Sequence, residues 1–425
     1  MDEIEKKLEA YFDRLWPITR SITGNGLRES FHILQELIPL ELIEVKSGTK
    51  VFDWEVPKEW NIRDAYIQTP DGTRIAQLKD NNLHVLNYSI PVNKTVSFQE
   101  LEKHVFTLPE QPDAIPYVTS YYKETWGFCL SHNEWQGLPK EGEYRVVIDS
   151  TLEEGSLTYG QVVLPGSTKQ EVLFSSYLCH PSMANNELSG PLAMAFLYQK
   201  IAQIPNRKLS YRFVLAPETV GVIAFLSKYG NLLKENLIAG YVLTCCGDLG
   251  DFTYKRSKDA TALCNRAAEH CLHYSEVKHK VIDFAVGGSD ERQYCSPGFN
   301  LPVGSLMRTP YQKYKEYHTS LDNKSFISFS SLRQTIELYE NISKTLEING
   351  PWECNVPFGE PQLGKRGLYP SSVSPDAQRE NLHDLLHLIS FSDGKNDLIT
   401  IAEKRDKHAL EFEEHLVACR NKGLF

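Results

Sequence analysis

Four chemistry-bearing side chains stand in separate polar loops, and two of these loops directly follow apolar runs. His180 lies in Cys179-His180-Pro181-Ser182-Met183-Ala184-Asn185-Asn186-Glu187-Leu188-Ser189-Gly190, just after the run 172–177. Glu218 follows the run 211–215 in Ala216-Pro217-Glu218-Thr219-Val220-Gly221. Asp290 lies in Ser289-Asp290-Glu291-Arg292-Gln293-Tyr294, and His318 in Tyr317-His318-Thr319-Ser320-Leu321-Asp322. Two imidazoles and a carboxylate at one sheet edge suit a zinc ion that keeps an open position for water. Singly, each has a plainer reading. A loop histidine is more often a hydrogen-bonding surface group, and a glutamate after a strand more often faces a helix N-terminus. Their common placement is what points to a site.

The elements that must position these loops are legible in the hydrophobic pattern. Runs at 144–148, 172–177, 211–215 and 239–244 are apolar on both sides, as expected for strands of a sheet covered on both faces. Helices fit between them at 191–204, 220–229 and 261–273. In such a sheet, sites form beyond the carboxyl ends of the strands. Two amphipathic helices open the chain at 3–15 and 27–38, separated by the polar loop Thr19-Arg20-Ser21-Ile22-Thr23-Gly24-Asn25-Gly26. The reading is an α/β fold with a mixed sheet covered by helices, in a discontinuous domain of residues 1–56 and 143–350. Residues 57–142, with short β-type runs, aromatics and closely spaced prolines, read as a small nested β-rich domain. Residues 351–374 read as a linker and 375–425 as a helical domain.

The 425 residues carry a net charge of −10, with 41% hydrophobic and 24% charged residues. That excludes global disorder and argues against a protein that coats nucleic acid or an anionic membrane. No apolar stretch approaches the ~20 residues of a membrane span, and the acidic N-terminus is not a signal peptide. Nine cysteines without a C-x-x-C pair fit a reducing compartment, so a cytoplasmic location is expected.

The order of the loops resembles the zinc aminopeptidase family that also contains the animal glutaminyl cyclases. The match runs through His180, Asn186 ahead of Ser189-Gly190, Glu218 ahead of Gly221, Ser289-Asp290 and Tyr317-His318-Thr319. Longer phrases, including Phe52-Asp53-Trp54, Ile115-Pro116-Tyr117, Tyr121-Tyr122, Trp126-Gly127-Phe128-Cys129 and the His180 loop itself, resemble an aminopeptidase-like bacterial family. Its members carry a nested domain of unknown function and a C-terminal winged helix, and are often labelled polysaccharide-biosynthesis proteins. The resemblance implies metal ligands at His180 and His318, with Glu187 as the carboxylate and Asn186 as a weaker substitute. It implies Glu218 as general base and Asp290 as an orienting group or proton donor. Arg292 would hold a substrate carboxylate or form a salt bridge within its loop; Tyr294 would face substrate or simply pack. The chain departs from the two-zinc pattern at Asn186, Thr219 and Thr244, where the family has anions. Without them two dications would repel each other uncompensated, so one zinc is expected.

Three functions compete at this stage. One is a single-zinc amide hydrolase acting on a small peptide or on an acylated amine or sugar. Another is a degenerate peptidase fold kept as a scaffold or binding protein for polysaccharide assembly. The third is a transcription factor with a peptidase-derived sensor. A homo-oligomer is compatible with all three, with the nested unit as a dimer contact or a cover over the site. Residues 375–425 resemble a winged helix in pattern yet hold seven basic against ten acidic side chains, and Glu411, Glu413 and Glu414 lie on the third helix, 407–421. Groove insertion would press these carboxylates against phosphates. The full-length protein is therefore expected not to bind duplex DNA tightly; tight, steeply salt-dependent binding in a fluorescence-anisotropy titration would overturn this.

Overall fold

The computed structural model describes residues 2–369 and 376–425. They divide into two compact units, Met1–Cys264 with Lys278–Glu337, and Asn265–Val277 with Leu338–Phe425. No helix among the described residues is long and apolar enough to cross a membrane.

The first unit is built on an eight-stranded mixed sheet. Its strands are β1 (Glu41–Lys46), β2 (Ser156–Leu164), β3 (Glu171–Tyr177), β4 (Ser210–Ala216), β5 (Leu237–Val242), β6 (Phe252–Lys255), β7 (His279–Ile282) and β8 (Val303–Met307). Their order is β1-β2-β4-β3-β5-β8-β6-β7. The four central strands, β4-β3-β5-β8, are parallel, and β3 and β8 are buried along their whole length. That is why their sequences are apolar without alternation. Helices α1 (Glu3–Leu15), α2 (Asn25–Leu34), α3 (Ser189–Ala202) and α4 (Val220–Asn236) belong to this unit. The apolar face expected of α1 buries Leu8, Phe12 and Leu15, and the start of the helix is fixed by a capping box between Asp2 and Glu5.

A four-stranded antiparallel sheet forms beside the main one, in the order Arg74–Ile75, Glu59–Gln68, Glu143–Glu153, Val92–Ser97. It has its own core, including Ile67, Phe98, Trp126, Phe128, Trp135 and Tyr144. The run 144–148, expected in the covered α/β sheet, belongs here instead. It pairs with 59–68 on one side and 92–97 on the other, so this sheet reaches beyond the expected boundary at 142 to Glu153. The strand alternates, with Tyr144, Val146 and Ile148 buried and Glu143 and Arg145 exposed, the pattern of a sheet covered on one face rather than on both.

In the second unit, Pro351–Glu353 pairs antiparallel with Asp393–Asp397. Helices Asp376–Phe391, Leu398–Glu403 and Glu413–Asn421 complete it. Two expectations change. Residues 351–369 are not a bare linker, since they supply a strand and the buried Cys354 and Leu363; residues 370–374 of the expected linker and Pro375 lie outside the described residues. Within 375–425, expected to be helical, Asp393–Asp397 is the other half of the ribbon and draws its partner from upstream. Arg266 holds Asp397 through both oxygens at 2.7 and 2.9 Å, and this keeps the Asp397 carboxyl well below its usual range despite burial.

Gly190 opens α3 where the helix meets the end of β5. A Cβ there would sit 2.5 Å from Ser176 Oγ and nearer still to the Leu243 carbonyl oxygen, which is backbone and cannot give way. Gly190→Ala is expected to destabilise the protein by about 1–3 kcal/mol, as overpacking does; an unchanged denaturant midpoint would refute the close approach.

Candidate functional site

The loops after β3, β4 and β5 meet at the carboxyl end of the parallel strands, as the sheet rule requires. Each leaves its strand through backbone that L-residues rarely adopt: Ser182, Thr219 and Cys245 have φ of 40°, 64° and 50°, and His318 has φ 55°. A β-branched residue such as Thr219 at positive φ is an outlier that its surroundings must enforce. Asp290 does so by accepting the Thr219 N–H at 2.8 Å.

His180 is buried, and its ring is aimed by Glu187. Nδ1–H donates to Glu187 Oε2 at 2.9 Å, and the other carboxylate oxygen accepts the Cys179 N–H at 2.6 Å. A carboxylate on Nδ1 fixes the tautomer and leaves the Nε2 lone pair available. Burial pushes the His180 pKa down, but the Glu187 hydrogen bond and charge more than offset it, so this imidazole is more basic than usual. Nε2 lies 3.8 Å from Glu218 Oε2. The His318 ring is centred 5.5 Å from that of His180, stacked on Tyr317 at 3.9 Å and met edge-on by Tyr117. Burial and the neighbouring His180 pull its pKa down to about 3, so it is neutral at physiological pH.

Glu218 is half-buried, and desolvation raises its pKa. Asp290 is fully buried; desolvation first, then the Glu218 charge, hold its carboxyl well above the usual range. Its Oδ1 is taken by Thr219, while Oδ2 has no partner among the described residues. Arg292 donates to Thr219 Oγ1 at 3.2 Å and shares with Glu218 the lining of a cavity of about 460 Å³.

The structure thus brings His180, His318, Glu218, Asp290 and Arg292 together, and it corrects three expectations. Glu187 is committed through both oxygens to aiming His180; it forms a compact group with Cys179 and His180 in which donor atoms lie within 4.8 Å, but a cation there would have to break the Glu187–His180 bond. Asn186 contributes backbone, its N–H to Asp322 at 2.9 Å and its carbonyl to Tyr177 OH at 2.6 Å, and its side-chain Nδ2 is buried without a partner among the described residues. Tyr294 is a core residue whose hydroxyl donates to Ser175 Oγ at 2.8 Å, far from a substrate-facing role.

Sequence reasoning missed Arg20, Tyr117 and Asp322. Arg20, fully buried, donates to the His180 carbonyl at 3.2 Å, and its Nε lies 4.0 Å from Glu187 Oε1. Asp322 accepts the N–H groups of Asn185 and Asn186, tying the His318 loop to the His180 loop. Residues 115–120 also dock on the His318 loop, with Tyr117 N–H on the His318 carbonyl at 2.8 Å and a bridge between Pro116 and Thr319. The polar loop 19–26 and the phrase Ile115-Pro116-Tyr117 were visible signals, but nothing in one dimension assigned them to this crevice.

A family model described as a domain of unknown function (DUF4910) matches residues 9–349, and one described as winged helix-turn-helix matches residues 350–425. A Clostridium acetobutylicum protein, provisionally named a polysaccharide biosynthesis protein with aminopeptidase-like domain, is 46% identical over 392 residues, 92% of this chain and 89% of its own. A crystal structure from Clostridium acetobutylicum, provisionally described as a peptidase, has a TM-score of 0.92 at 42% identity and covers 99% of this chain and 96% of that one. The zinc aminopeptidase BSAP of Bacillus subtilis shares the fold, with a TM-score of 0.56 at 10% identity over 80% of this chain and 93% of its own. So does a peptidase M28 precursor from Shewanella amazonensis, with a TM-score of 0.55 at 14% identity over 80% and 92%.

Removing Glu187 would leave the buried Arg20 without its counter-charge. Glu187→Ala is expected to cost about 3–5 kcal/mol, the penalty of breaking a buried ion pair, and Glu187→Gln less, because the amide still reaches one of the two donors. Equal stability of wild type and Glu187→Ala in urea would remove Glu187 from this role.

Proposed function

This chain belongs to the family of that domain of unknown function, with a winged helix-turn-helix at its C-terminal end, and we propose that it is an amide hydrolase of aminopeptidase type using one zinc ion. Its substrate would be a small peptide or an acylated amine or sugar. The observation that carries this reading is that His180 Nε2, not hydrogen-bonded among the described residues, lies 3.8 Å from the half-buried Glu218 carboxylate, with the His318 ring centred 5.5 Å from that of His180. Two imidazoles, one of them beside a carboxylate, are donor types that suit one zinc ion. A second ion does not fit. Asn186, Thr219 and Thr244 bring no charge, and the Thr244 hydroxyl is already bonded to Tyr177 OH at 2.6 Å.

Bound between the imidazoles, zinc would supply Lewis acidity toward an amide carbonyl. Glu218, whose proton affinity desolvation raises, would take a proton from the attacking water. Burial favours the protonated form of Asp290, and because Oδ1 faces the Thr219 N–H, the buried Oδ2, unpartnered among the described residues, is the oxygen that would carry a proton for the departing nitrogen. Arg292 offers a cation for a polar group of the substrate at the cavity wall. A second reading, a catalytically silent binding protein for polysaccharide assembly, has in its favour the missing anionic positions and the name of the Clostridium relative.

Metal analysis of the purified full-length protein separates the two. About one zinc per chain is expected, lost in His180→Ala or His318→Ala. Glu218→Gln is expected to retain the metal and to lose amide turnover by roughly 10²–10⁴-fold, the usual contribution of a general base. A protein that takes up no zinc would overturn the hydrolase reading.

A further inference from the structure

Beside Glu218, the phrases Phe52-Asp53-Trp54 and Tyr121-Tyr122 form an exposed aromatic surface that the mechanism leaves unused. Phe52 is 61%, Trp54 40% and Tyr122 55% exposed, large values for rings that border cavities rather than a core. Trp54 and Tyr122 are centred 6.2 Å apart, and Phe52 meets Phe299 edge-on at 5.7 Å. Phe52 sits at φ 56°, at the tip of a two-stranded hairpin, a position that glycine usually fills. A bulky apolar ring is thus held in water and in a costly backbone conformation. Two cavities of about 460 Å³ each adjoin here; they share Trp54 and Gln293 in their linings, and the first reaches Glu218.

The chemistry of the linings selects the ligand. Aromatic faces are electron-rich and attract C–H groups polarised by neighbouring oxygens, as on the face of a pyranose ring. Uncharged amides at Gln293 and Asn231, with the Asp53 carboxylate, offer partners for ring-edge hydroxyls. Arg292 is the single cation lining either cavity, against Asp53 and Glu218, so a phosphate-rich ligand would go unneutralised. The outward carbonyl of Glu55 on the hairpin is occupied by Tyr122 OH at 2.8 Å, which blocks a peptide strand from adding there.

We propose that these two cavities form a binding cleft for a short oligosaccharide of N-acylated amino sugars, stacked on Trp54 and Tyr122, with the acyl amide directed toward Glu218. The acyl amide and its direction rest on the hydrolase reading; the stacking surface does not. Isothermal titration of full-length protein, zinc-loaded and metal-stripped, with N-acetylglucosamine, its β-1,4-linked dimer and trimer, and leucylglycine tests it. The trimer is expected to bind more tightly than the monomer, in both metal states, and Trp54→Ala and Tyr122→Ala to weaken it at least 10-fold while melting as wild type does. Phe52→Ala, whose ring borders only the second cavity, is expected to weaken the trimer more than the dimer. Absence of binding by all three sugars, binding indifferent to Trp54, or Trp54-dependent binding of leucylglycine alone would overturn the proposal. Sugar binding without any hydrolysis would uphold this cleft and overturn the hydrolase reading; peptide hydrolysis without sugar binding would do the reverse.

Discussion

A single buried carboxylate organises the site. Glu187 has no exposed side-chain surface, and a carboxyl group so placed is costly unless its oxygens are partnered. Its partners come from three places: the Cys179 N–H at the strand end, the His180 ring beyond it, and the Arg20 guanidinium from the loop between α1 and α2. Arg20 in turn donates to the carbonyls of Leu15 and His180 and to Ser30. The opening helices are therefore held against the end of β3 by hydrogen bonds that the burial of one charge makes obligatory. Glu187 reaches this position because Ala184–Leu188 adopts a π-helical turn immediately before α3, a geometry that recurs at functional sites because it re-aims side chains.

The second histidine is held by a different means. His318 gains its place through Asp322, which grips the Asn185 and Asn186 N–H groups, and through the backbone of residues 115–120. Burial raises the Asp322 pKa to about 6 in spite of these bonds, so its grip is that of a group near its own titration point. The segment 115–122 thus does two things at once. It fastens the His318 loop through Tyr117 and carries Tyr121 and Tyr122 to the cavity wall beside Glu218. The positive-φ residues at the strand ends fit this picture, since tertiary bonds such as Asp290 to Thr219 hold conformations that local preference would reject.

Burial also sorts the titratable groups by role. Burial holds His318 neutral, while its hydrogen bond to Glu187 makes His180 more basic than usual. The Glu218 charge adds to desolvation in raising the proton affinity of Asp290, which is the more deeply buried of the two and has one oxygen fixed by a backbone N–H.

The sequence by itself determined the class of fold, three of the eight main-sheet strands with the helices between them, and the placing of the His180, Glu218, Asp290, Arg292 and His318 loops at one sheet edge. It could do so because apolar runs of uniform burial fix a parallel sheet, and the rule for strand ends then fixes where loops converge. It misplaced the strand at 143–153, since the alternation of buried Tyr144, Val146 and Ile148 with exposed Arg145 was read as a strand covered on both faces, and it read residues 351–369 as linker, since proline and glycine mark a break without saying what the ends pack against. Only the tertiary structure decided that Glu187 aims His180 rather than facing the crevice, that Tyr294 is core, and that Arg20, Tyr117 and Asp322 belong to the site. The reason is physical: which way a carboxylate points depends on where distant donors lie, and Arg20 is separated from His180 by 160 residues of chain that carry no periodic record of the contact.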